Sequence, residues 1–131
     1  MALSSIKATF QSDIYKVWDV VTSIENYTWR SDLSKTEILN EKQFVEYTKD
    51  GYATNFTITV TEPYKRWEFN MENGNMIGHW IGVFTQLDEY VEIVFTEDVI
   101  AKKFFMKPFV KSYLKKQQTQ FILDLQKALV D

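Results

Sequence analysis

The sequence predicts an α+β domain in which an antiparallel meander is closed by a long C-terminal helix. Three observations carry this. From Thr36 to Asp98 the apolar residues alternate with period two, broken at short intervals by turn residues. From Val110 to Ala128 they step by three and four, as on one face of a helix. Ahead of the meander stand one alternating stretch and one short helical run, so strands and helices are segregated along the chain.

Ile6–Phe10 alternates and reads as the first strand. Ser12 is a suitable N-cap, and Asp13 in the first turn favours the helix dipole. Ile14, Val17, Trp18, Val21 and Ile24 then recur at helical spacing, a helix of about three turns. The connection that follows, Ile24 to Leu33, reads IENYTWRSDL and holds more rings and charges than a connection needs. It is expected to act as a lid, with Trp29 turned inward, Arg30 and Asp32 at the rim, and Tyr27 and Leu33 packed as core. The turn signals NEKQ, KDGY, EPYK, ENGN and LDEY next divide the chain into six β-rich runs, too closely spaced for anything but hairpins. In the last helix Val110, Leu114, Gln117, Phe121, Leu125 and Ala128 form the stripe. Pro108 is tolerated only in a first turn, which places the start near Lys107 and leaves 99–106 as a short helix or turn.

Turn centres fix the register. With Asn73-Gly74 as a two-residue turn, Trp67 faces Trp80, Phe69 faces Gly78, and Glu68 faces His79 on the opposite side. Asp50-Gly51 likewise pairs Val45 with Phe56 and Tyr47 with Thr54. EPYK pairs Val60 with Trp67 and Ile58 with Phe69. Asp88-Glu89 pairs Phe84 with Ile93 and Gly82 with Phe95. One face then carries Val45, Tyr47, Phe56, Ile58, Trp67, Phe69, Met71, Trp80, Phe84, Ile93 and Phe95; Glu46, Asn55, Glu68, Asn70 and His79 fall on the other. Gly78 and Gly82 flank Trp80 on the apolar face, which predicts curvature and hollow volume beside the rings.

The 131 residues suit a single domain spanning 1–131, and 16% aromatic content points to a ring-rich core or a ring-walled cavity. Without Cys there is neither disulfide nor thiolate chemistry. No apolar run matches a signal peptide or a membrane span, so a soluble cytoplasmic protein without integral membrane association is expected. With His79 alone and facing outward, no metal site, nucleophilic triad or catalytic constellation is expected. No phosphate-cradling glycine loop is present, and neither cofactor nor nucleic acid is expected. Charge is uneven: residues 1–100 hold 8 Lys and Arg against 16 Asp and Glu, whereas 101–131 hold 7 Lys against 2 Asp. The basic stretch reads first as a solvated helix face, ahead of a face for anionic lipid or nucleic acid.

Ser12, Asp13, Val17 and Trp18, followed by Trp29, resemble the Ser-Pro-x-x-Val-Trp … Trp pattern of the SRPBCC superfamily, with Asp13 where Pro is common. The helix ending in Leu125-Gln126-Lys127 is a second match. This superfamily is the helix-grip fold of START lipid-transfer domains, birch-pollen allergens and polyketide cyclase/dehydrase-like bacterial proteins. The resemblance covers nearly the whole chain. It implies a curved antiparallel sheet of about seven strands wrapped around the C-terminal helix, two short helices between strands 1 and 2, and a hydrophobic cavity between sheet and helix. It also implies a functional range of lipid or hormone binding, polyketide cyclisation and stimulation of a chaperone ATPase.

The expected function is binding of a small apolar or amphipathic molecule, lined by Trp29, Arg30, Asp32, Tyr47, Phe56, Phe69, Trp80, Phe84, Tyr113 and Gln117. Two alternatives stand beside it. One is a cyclase/dehydratase-like enzyme in which Tyr47, Arg30 and Asp32 orient a carbonyl substrate. The other is a chaperone-activator-like module that binds a protein through the basic C-terminal helix.

Overall fold

The computed structural model describes residues 2–130. Strand β1 (Ala2–Phe10) leads into helix α1 (Ile14–Thr22). Six strands follow: β2 (Leu33–Ile38), β3 (Gln43–Thr48), β4 (Ala53–Glu62), β5 (Arg66–Glu72), β6 (Met76–Leu87) and β7 (Tyr90–Ala101). A 3-10 turn (Phe104–Phe109) joins β7 to helix α2 (Val110–Ala128). The seven strands form one antiparallel sheet in the order β1-β7-β6-β5-β4-β3-β2. It is curved, open, and grips α2, as expected.

Three local expectations change. The N-cap of α1 is Asp13, whose extended backbone lets its carboxylate accept from Lys16 N at 2.9 Å. Residues 23–32 form bends and turns, closed by Arg30 N–H donating to Tyr27 O at 2.8 Å, where a second short helix was expected. The main helix starts at Val110, because Pro108 sits in the 3-10 turn.

Registers separate into those that held and those that slipped. Phe84 faces Ile93, Gly82 faces Phe95, and Ile58 faces Phe69, as the turns predict. A bulge between Ile58 and Val60 moves Val60 from Trp67 to Glu68. The β5–β6 hairpin turns one residue later than expected. Asn73 Oδ1 accepts from Asn75 N and Met76 N at 2.8 and 3.0 Å, so Asn73 closes the turn from its flank. Phe69 therefore faces Trp80, Met71 faces Gly78, and Asn70 faces His79. This slip is of two residues on the partner strand, so no side chain changes face.

The β3–β4 hairpin slips by one, and there every side chain of β3 changes face while those of β4 at the hairpin keep theirs. Its loop has three residues, Lys49 to Gly51, with Gly51 at φ 83° and Thr48 N–H donating to Tyr52 O. Phe44 consequently faces Phe56, and Tyr47 faces Ala53. Phe44 and Glu46 point inward. Val45 and Tyr47 point outward, where Lys35 Nζ lies 4.8 Å from the Tyr47 ring centre.

Helix α2 lies across β1 and β7. Ser4 and Gln118 lock it there: Ser4 Oγ donates to Gln118 Oε1 at 2.9 Å, and Gln118 Nε2 donates to Ser4 O at 3.0 Å. Both side chains are buried, so the mutual pairing removes a desolvation cost and fixes the helix along the sheet. Leu114 and Leu125 on its inner face, and Ile93, Phe95 and Val99 of β7, are almost wholly excluded from solvent.

Candidate functional site

The helix covers β1 and β7 but not the far half of the sheet. Between that half, α2 and the segment 23–32 lies a cavity of about 400 Å³. Its floor is made of the inward rings of β3 to β7. Register stacks them: Phe44 on Phe56 with centres 4.8 Å apart, and Phe69 on Trp80 at 4.7 Å. Trp67 and Phe95 complete the floor. Tyr113, Lys116, Gln117, Gln120 and Phe121 of α2 form the opposite wall, and Tyr113 to Gln120 are exposed along it. Gln117 Nε2 donates to Tyr113 Oη at 3.0 Å on this rim.

Gly82 explains the shape of the floor. A β-carbon there would stand 2.5 Å from the six-membered ring of Trp80. The indole thus occupies the space a side chain would take, which is filled volume where hollow volume was expected. Gly78 has a different cause: a β-carbon would meet Asp98 O and Val99 Cγ2, each at 2.8 Å. The cavity lies beyond Trp80, on the side of Arg30 and Glu46.

The third wall is the IENYTWRSDL segment. Asp124 of α2 is buried and accepts from Ser31 N and Ser31 Oγ, each at 2.8 Å, and from Gln120 Nε2 at 2.8 Å. Burial pushes this carboxyl up, but the Ser31 and Gln120 bonds and the charge of Arg30 outweigh it and hold it below the usual range. Ser31 is thereby pinned to the helix, and the residues on either side are aimed inward. Trp29 meets Phe121 edge-on at 5.2 Å. Arg30 Nε and Nη2 donate to Asp32 Oδ1 and Oδ2 at 3.1 and 3.0 Å, and Nη1 donates to Glu46 Oε2 at 3.4 Å. The guanidinium also lies 5.0 Å from the Phe121 ring centre. Burial opposes its charge, but Glu46 and Asp32 prevail and raise its pKa.

Two carboxylates that sequence reasoning left out of the interior line this cavity. Glu46 is brought in by the one-residue slip at β3, and burial raises its pKa against the pull of Arg30. Glu97 is raised to about 7, chiefly by burial, against a Gln118 hydrogen bond and the charge of Arg30. Its position was legible, because Val91, Ile93, Phe95, Glu97 and Val99 alternate without interruption. Burial, with Glu97 and Asp32 adding to it, also raises the Tyr113 hydroxyl.

Of the ten residues expected at the site, Trp29, Arg30, Asp32, Phe56, Phe69, Trp80, Tyr113 and Gln117 line the cavity. Tyr47 is on the other face of β3. Phe84 is buried in solid core, edge-on to Trp18 at 5.0 Å. Tyr27 and Leu33, expected as plain core, are lining residues as well. His79 is on the outer face, with Nδ1 2.6 Å from Asn70 Oδ1 and Nε2 2.8 Å from Glu68 Oε1. Among the described residues, no group of three or more His, Cys, Asp or Glu side chains is placed to hold a metal, and no helix is long and apolar enough to cross a membrane.

By sequence, no family model and no curated protein matches the chain. Solved structures match its shape. A START superfamily protein from Mycobacterium smegmatis superposes with a TM-score of 0.89 at 11% identity, covering 97% of this chain and 96% of that one. A conserved protein from Geobacillus kaustophilus gives 0.83 at 13% identity, covering 97% and 94%. The protein XoxI from Bacillus cereus gives 0.82 at 11% identity, covering 100% and 97%. At such identities the likeness concerns the backbone. The chain therefore shares the helix-grip fold of these structures, a START superfamily protein among them, and has a cavity between sheet and C-terminal helix.

Proposed function

We propose that the chain binds a small amphipathic molecule in this cavity. The observation that carries the reading is an aromatic floor facing a cluster of half-buried polar groups across about 400 Å³, a volume within the range of small-molecule sites. Rings of Phe56, Phe69 and Trp80 accept the apolar part. Arg30 is already engaged by Asp32 and Glu46, so the acceptor oxygens of Glu46 and Glu97 dominate what remains for the polar end. A hydroxyl, phenol or amine suits them better than a second carboxylate, which would meet like charge. Trp29, Trp67 and Trp80 all line the cavity and report on its filling. Titration with a long-chain alcohol, the matching fatty acid and a polyphenol should change their fluorescence, most strongly for the alcohol or the polyphenol. Silence with all three, together with native mass spectra of the purified protein free of adducts, would sink the reading.

One observation favours a second reading, an enzyme. A Glu97 carboxyl that titrates near 7 inside an apolar cavity is suited to exchange a proton with a carbonyl substrate oriented by Arg30 and Asp32. Tyr47 has no part in it, being outside. Turnover of a cavity-bound polyketide-like substrate that disappears in Glu97→Gln, with binding retained, would favour this reading over simple carriage.

A further inference from the structure

The 3-10 turn between β7 and α2 concentrates exposed rings. Phe104, Phe105 and Phe109 are 83%, 70% and 69% exposed, and all lie on six consecutive residues. At about 2 Å of rise per residue, the three rings lie within roughly 10 Å along the chain. Rings this exposed place apolar surface in water without packing in return. Met106, between them, packs against the core and holds the turn in place.

The charge around the rings is of one sign. Residues 102–116 contain six lysines and no acidic residue, although the chain as a whole carries −3. Lys107 Nζ lies 5.8 Å from the Phe104 ring centre. Lys102 reaches back to Glu72 at 2.7 Å, Lys115 donates to Ser5 O, and Lys116 lines the cavity. Lys103, Lys107 and Lys111 remain as the charges set among the phenylalanines.

We infer that this turn docks the protein on an anionic lipid bilayer, with the phenylalanines entering the headgroup boundary and the lysines meeting lipid phosphates and carboxylates. Rings without polar atoms beside flexible ammonium groups match a bilayer interface, where both needs are met within a few ångströms. Nucleic acid suits the patch less well. No arginine is present to read bases, and the backbone contacts it would gain leave three rings to be used only by stacking. Tyr113 lies one helical turn past Phe109 and lines the cavity, so docking would bring the rim of the cavity to the lipid surface. The inference rests on exposure and charge, and stands whether or not the cavity holds a ligand.

Co-sedimentation with vesicles tests it. The full chain should pellet with phosphatidylcholine–phosphatidylserine vesicles and stay in solution with phosphatidylcholine alone, and raised salt should release it. Phe104→Ala/Phe105→Ala/Phe109→Ala and Lys103→Gln/Lys107→Gln/Lys111→Gln should each weaken partitioning by roughly tenfold or more. These side chains are exposed, and unchanged circular dichroism and unchanged cavity titration in solution would show both variants folded. No pelleting at low salt overturns the inference. So does equal binding by the phenylalanine variant, which would reduce the contact to general electrostatics. Tighter binding to a single-stranded oligonucleotide or an acidic peptide than to the anionic vesicles would also overturn it.

Discussion

The two halves of the sheet are built from the same kinds of residue and do different things. Under β1 and the adjoining part of β7, Leu114 and Leu125 of α2 join Ile93 and Val99 in a close-packed core that borders no cavity. Under β3, β4 and β5 the inward residues are aromatic, yet no helix covers them. The difference is one of coverage. Ser4 and Gln118 tie the helix to the edge of the sheet at β1, and a single helix is about 10 Å wide. A seven-stranded sheet with neighbours about 4.8 Å apart is far wider than that. The excess width becomes the cavity, and the segment 23–32 closes it.

Stability measurements sharpen this contrast. Leu125→Ala, in the solid half, should cost about 4 kcal/mol in urea unfolding, because it opens a new void in close-packed surroundings. Met71→Ala, which borders existing space, should cost about 2 kcal/mol; equal costs would break the distinction. Glu97 comes next. Its folded-state pKa of about 7 lies above the value near 4.5 of an unhindered glutamate. The folded protein therefore holds the proton more tightly, and stability should fall as pH rises from about 4.5 to 7, by at most about 3 kcal/mol. Glu97→Gln should flatten that slope and leave the variant more stable than the parent above neutrality. A slope unchanged by the substitution would mean that the carboxyl is solvated. The smallest effect is expected from Gly82→Ala, about 1 kcal/mol from overpacking against the Trp80 ring. Its more telling consequence is that the indole must swing toward the cavity, so ligand affinity should drop with it.

The same contrast separates what was legible in the sequence from what was not. The strands, their order of hairpins and the apolar face of β5, β6 and β7 were legible, because alternation survives a slip of two. The inward carboxylate Glu46 was not. It depends on whether Lys49-Asp50-Gly51 makes a three-residue or a two-residue loop, and both are compatible with Asp-Gly. One residue of loop length exchanged Tyr47 for Glu46 and turned an apolar wall into the counter-charge of Arg30. Glu97 was available from alternation alone, and was passed over by following apolar residues rather than positions. Trp29, Arg30 and Asp32 line the cavity, and nothing in the sequence marks Asp124 as the residue that holds their segment there.

That anchor has a mechanical consequence. The Ser31 bonds to Asp124 join the third wall of the cavity to the helix, and each hydrogen bond to a charged oxygen is worth about 1.5–3 kcal/mol. Wall and helix therefore travel as one body, and a ligand that parted them would break both bonds at once. Any opening of the cavity is expected elsewhere, along the exposed row of Tyr113, Lys116 and Gln117, which a surface hydrogen bond between Tyr113 and Gln117 spans. The seam works as a clamp.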